Sequence, residues 1–127
     1  MLKDRSSSAI VAVSDLARAR AFYEDTLGLT LIDGGVDNGV FVFRTGETQL
    51  TVYKSAFAGT NKANAVTFEM KGDIVAVVED LRAKGVVFEH YPDMGMTLNG
   101  DVHEAGAMKL VWFKDPDGNI LHLIEGM

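Results

Sequence analysis

A chain of 127 residues is long enough for a real core and falls within the size range of one compact domain. Its 47% apolar and 24% charged content is that of a globular protein, and a net charge of −6 without a basic cluster excludes phosphate-backbone binding, so no nucleic-acid partner is expected. No cysteine is present, which excludes disulfides, thiolate metal sites and a cysteine nucleophile.

The opening MLKDRSSS carries charges with no apolar run behind them, unlike a secretory signal. No stretch approaches the roughly 20 apolar residues of a membrane helix. A cytoplasmic protein with no membrane partner is therefore expected. AIVAV (9–13) is a short continuous apolar run and predicts the first strand. Ser14-Asp15 supplies the polar break of a helix start, and the next segment spaces Leu16, Ala19, Phe22, Tyr23 and Leu27 near a helical period, with Gly28 as the stop. Phe22 and Tyr23 are core residues on that spacing. LTLID (29–33) reads as a strand, Gly34-Gly35 as a break, VFVFR (40–44) as a strand, and QLTVYK (49–54) as its partner after a Thr45-Gly46-Glu47 turn. The small, polar residues that follow make 55–64 a linker.

The order then repeats. VTFEM (66–70) is strand-like, Lys71-Gly72-Asp73 breaks it, and Ile74, Val77, Val78 and Leu81 share one face of a helix that ends at Gly85. VVFEHY (86–91) is a strand, and MKLVWF (108–113) and ILHLIE (120–125) are the last pair, joined by the turn residues Asp-Pro-Asp-Gly-Asn. The stretch 92–107 is long for a connection and reads as a lid or binding loop, with Met94, Met96 and Met108 as a soft lining. His90 stands just before it and His103 within it.

Strand-helix-strand-strand-strand occurs twice, an internal duplication. Module one spans about 5–54 and module two about 65–127, within one domain. Each module has an apolar sheet face that it cannot bury alone, so the two pack together or swap between chains.

These tandem modules, the opening VSDLARARAFYEDTLGL and the closing WFKDPDGNILHL resemble the vicinal oxygen chelate superfamily, the glyoxalase, bleomycin-resistance and extradiol-dioxygenase group. The resemblance covers nearly the whole chain. It implies an α+β fold in which two tandem βαβββ modules form curved mixed sheets around a cup-shaped site, and it implies a homodimer. Metalloenzymes of that group carry metal ligands on the first and last strands of each module. Those four positions fall here on Ser8, on Thr51, on Ala65 or Val66, and on His122. A protein site for Zn²⁺ or non-haem Fe²⁺ needs about three side-chain ligands, and only His122 qualifies. No metal and no other cofactor is expected.

The resemblance therefore implies a metal-independent small-molecule binding protein whose cup is lined by Ser8, Thr51, Tyr53, Trp112 and His122. The alternative it leaves open is a lyase, isomerase or dioxygenase with a non-standard site in which His122 is the catalytic acid/base. Aromatic rings such as Tyr53 and Trp112 suit planar or cationic ligands. Glu69, in phase with Thr67 and Ala65, falls on the same face, where a carboxylate can pair with an imidazole or a cation.

Overall fold

A computed structural model describes residues 1–126. The chain forms two compact units that divide between Asn61 and Lys62. Each unit is a mixed sheet with a helix on one face, so the α+β class and the repeated order are those expected. Among the described residues no helix is long and apolar enough to cross a membrane.

In the first unit, β1 (Ala9–Val13) runs parallel to β4 (Thr48–Lys54), which is antiparallel to β3 (Val40–Thr45), itself antiparallel to β2 (Thr30–Gly35). The helix α1 (Leu16–Arg20) starts where Asp15 accepts the Arg18 amide at 3.0 Å and continues as a wider π-turn over Ala21–Thr26. Alternation sends Val11, Val13, Phe41, Phe43, Leu50 and Val52 to the helix side, where Leu16, Ala19 and Tyr23 meet them. Tyr23 is fully buried and lies 6.0 Å from Phe43, ring centre to ring centre; Phe22 is half-buried and meets Tyr23 edge-on.

Gly34-Gly35 does not end β2 as expected. The ladder slips between Leu31 and Asp33, and β2 then pairs on to Gly35 opposite Val40. The bulge needs its glycine: Gly34 has φ +92°, and a Cβ there would fall on the Val40 carbonyl. The actual break is the 3₁₀ turn Val36–Asn38.

In the second unit, β5 (Asn64–Glu69) runs parallel to β10 (Ile120–Glu125), which is antiparallel to β9 (Met108–Lys114). The helix α2 (Ile74–Ala83) buries Ile74, Val78 and Leu81. It ends in a Schellman motif in which the Val86 and Gly85 amides donate to the Leu81 and Arg82 carbonyls, with Gly85 at φ +90°. Asp73 does not cap the helix as Asp15 caps α1; the Ile74 amide donates instead to Glu125 Oε1, 51 residues on, at 3.1 Å.

The 92–107 stretch is not an open loop. After a 3₁₀ turn at Pro92–Met94, it forms a hairpin of β7 (Thr97–Asn99) and β8 (Val102–Ala105), and β8 pairs with the first part of β9. The short β6 (Phe88–Glu89) pairs with the last part of β9, along the same edge. The added hairpin takes the edge that would otherwise extend β6, which explains why the expected strand 86–91 shrinks to two paired residues.

Candidate functional site

The DPDGN turn sets the register of the last two strands. Asp115 Oδ1 accepts the Asp117 and Asn119 amides at 3.0 and 2.8 Å, and its Oδ2 accepts Asn119 Nδ2 at 2.8 Å. Both side chains are buried. The register that follows places His122 opposite Trp112 on β9 and beside Thr67 on β5. Leu121 and Leu123 point to the α2 side, and His122 to the other face with Ile120 and Ile124.

On that face the Trp112 and His122 rings stack at 4.7 Å and 20°. His122 Nδ1 lies 3.1 Å from the Val111 carbonyl, an acceptor only, so Nδ1 carries the proton and the lone pair of the neutral ring is on Nε2. Burial holds the His122 pKa below the ordinary 6.5 against the opposing pull of that carbonyl, so the ring is neutral near pH 7. Glu69 lies opposite Ile124 and is exposed.

Trp112 and His122 are only 4% and 6% exposed, and the inserted segment packs on Trp112. Tyr91 and Met96 pack on the cluster formed by Leu110, Trp112 and Ile124, with Met108 and Ile120 at its edge. Tyr91 meets Trp112 edge-on at 5.2 Å, and His103 does so at 4.9 Å. His103 and Tyr91 are absent from the sequence-derived site, whereas Met96 is expected there as part of the loop's lining. The Asn99-Gly100 pair was the available signal: a two-residue Gly-Asp turn closing Asn99 onto Val102 makes the hairpin, and alternation then turns His103 toward Leu110. Met94 remains exposed.

The remaining expected site residues lie in the first unit. Thr51 pairs with Ile10 and Val42, and Tyr53 with Ala12 and Val40, on the sheet face away from α1. That face is open, with Ile10 61% and Tyr53 38% exposed. Ser8 precedes β1 and is exposed; with Ser6, Ser7, Glu47, Thr48 and Gln49 it lines a shallow hollow of about 320 Å³. The structure thus brings Thr51 and Tyr53 together in one unit, and Trp112 and His122 together in the other.

The donors do not fit a divalent metal. Ser8 and Thr51 offer neutral hydroxyls, Ala65 and Val66 nothing, and His122 only Nε2, its Nδ1 being bound to the Val111 carbonyl, so one competent donor stands where about three are needed. Among the described residues no three His, Asp or Glu side chains converge as a metal would require.

Comparison with curated proteins returns no match. Among solved structures, the chain is similar to a lactoylglutathione lyase from Agrobacterium tumefaciens, at 18% identity and a TM-score of 0.73, over 97% of this chain and 94% of that one. It is also similar to a glyoxalase family protein from Enterococcus faecalis, at 19% identity and a TM-score of 0.72, over 98% of this chain and 100% of that one. An integron cassette protein from the mobile metagenome of V. Pseudocholerae aligns at 22% identity and a TM-score of 0.69, over 100% of this chain and 98% of that one. At such identities the likeness is one of fold. A family model matches residues 5–123, nearly the whole chain, and the protein belongs to the Glyoxalase/Bleomycin resistance protein/Dioxygenase superfamily.

Proposed function

We propose that this member of the superfamily is a metal-independent small-molecule binding protein, acting in the cytoplasm as a homodimer. Its ligand contacts are Ser8, Thr51 and Tyr53 of the first unit and Trp112 and His122 of the second. The observation that carries this reading is a contrast in chemistry on the two sheet faces. The positions where metalloenzyme relatives hold their ion offer one imidazole and no carboxylate, yet the same faces keep an exposed tyrosine and a stacked Trp–His pair. Aromatic faces of this kind suit flat, apolar or cationic ligands.

The enzymatic alternative, a lyase, isomerase or dioxygenase-type member, rests on one feature of His122. The Val111 carbonyl fixes its tautomer, and burial keeps the ring neutral, which is the state of a general base.

Elemental analysis of protein purified without chelators, followed by titration with Zn²⁺, Ni²⁺, Mn²⁺ and Fe²⁺, tests the first claim. Stoichiometric metal that disappears in His122→Ala overturns it. A thermal-shift screen of planar and cationic compounds then tests the site: stabilisation that Tyr53→Ala and Trp112→Phe both weaken supports these contacts, and stabilisation indifferent to both removes them.

A further inference from the structure

The hairpin that covers Trp112 is held by an unusual histidine. His103 is fully buried, and its Nε2 lies 2.9 Å from the Tyr91 amide. A backbone N–H can only donate, so Nε2 must be the acceptor and the proton of the neutral ring sits on Nδ1. Nδ1 is buried without a hydrogen bond of ordinary geometry, although the Leu110 carbonyl still favours a proton on the ring. A buried polar atom left in this way is unfavourable, and the covered conformation carries that cost. The same ring packs on Trp112 at 4.9 Å, on Tyr91 at 6.2 Å and on His90 at 6.2 Å.

No neighbouring carboxylate is placed to receive a charge on His103. On its own hairpin, Asp101 is bound to Arg82 of α2 and to His90, and Glu104 stands opposite Lys109 of β9 on the other side of the strand. From β6, Glu89 is paired with Lys114 of β9 at 3.0 Å. From β10, His122 lies against Trp112 and is itself kept neutral by burial. His90 adds a repulsive contribution, and burial outweighs the help of the Leu110 carbonyl opposite in the ladder.

We propose that the 91–99 segment is an acid-released cover, with β8 remaining paired to β9. Protonation of His103 turns Nε2 from acceptor to donor, sets two N–H groups against each other, and frees Tyr91 and Met96 from the Leu110–Trp112–Ile124 surface. The far turn of the hairpin stays tethered, because Arg82 and His90 hold the Asp101 carboxyl below its ordinary range and so ionised well into acid. The cover swings from that tether. This device is independent of which ligand the protein binds, or whether it binds one.

Trp112 is the chain's one tryptophan, so its emission reads the cover directly. Fluorescence, acrylamide quenching and far-UV circular dichroism are recorded from about pH 8 to about pH 5, spanning the ordinary histidine range. The expected result is a red shift and a several-fold rise in quenching below pH 6.5, the ordinary value from which burial lowers His103, with unchanged circular dichroism. The change should vanish in His103→Gln, whose amide oxygen keeps an acceptor for Tyr91 without titrating, and persist in His122→Gln. A wild type with no transition, a transition shared by His103→Gln, or one accompanied by loss of secondary structure each overturns the proposal. Should His103→Gln not fold, hydrogen exchange of the wild type decides. Segment 91–99 should lose protection at about pH 5.5 while 102–125 keeps it, after correction for intrinsic rates; uniform loss or none counts against it.

Discussion

The smallest determinant of the candidate site is Asp115. Its carboxylate accepts two backbone amides and the Asn119 amide group inside a buried turn. Removing it leaves three donors without that partner, at a net cost of about 2–3 kcal/mol for Asp115→Ala. The expected readout is a lower urea midpoint with an unchanged slope; a midpoint like wild type would mean that Pro116 and Gly118 alone hold the turn. His122 and His103 act on stability through pH. Both have pKa values lowered from 6.5 by burial, so the folded protein resists the proton that the unfolded chain accepts. Stability is therefore complete above pH 6.5 and falls as the pH drops below it, by up to about 1.4 kcal/mol per pH unit per histidine. Urea midpoints at about pH 7.5 and about pH 5.5 should show this fall, and His122→Gln should make it smaller. A slope unaffected by that substitution would place the effect elsewhere.

At the scale of elements, the turns that glycine and aspartate impose were legible, and the long-range partners were not. Asp15 and Gly85 sit where a helix start and stop are expected, because caps depend on residues within a turn of each other. The cap of α2 comes instead from Glu125, a contact that only the β5–β10 pairing creates. Glu125→Ala should cost about 1 kcal/mol, the usual worth of an N-terminal cap, and Glu125→Gln less, since its amide oxygen still accepts. Equal losses in the two variants, measured by chemical denaturation, would show that charge rather than hydrogen bonding is at work. Gly34-Gly35 shows the opposite failure. Two glycines suggest a break, but the positive φ of Gly34 serves a bulge inside a continuing strand. Gly34→Ala should destabilise by more than about 2 kcal/mol, because both the backbone angle and the Val40 carbonyl oppose a Cβ. A loss below that, in the same denaturation assay, would mean the bulge relaxes.

Over the whole molecule, the duplication in the sequence hides a difference that decides how the site can be probed. The two sheets share an order and a helix side, and both were readable from apolar alternation. The other face of the first sheet is left open, whereas on that of the second Tyr91 and the inserted segment pack over Leu110, Trp112 and Ile124. Periodicity could not show this, because Met96 and His103 come from a polar, glycine-rich stretch whose pattern is that of a loop, and Tyr91 from the end of an expected strand. Tyr53 and Trp112 thus look alike in the sequence but stand in different environments. Trp112→Ala removes a large side chain that is 4% exposed and stacked on His122, and should cost about 3–5 kcal/mol. Tyr53→Ala trims a ring that is 38% exposed on an open face, and should change stability by less than about 0.5 kcal/mol. Urea unfolding of the two variants under one set of conditions checks the difference. Similar losses would show that Tyr53 is covered in solution, as a second copy of the chain or a bound ligand would do, and would make the first sheet's open face the surface to map first.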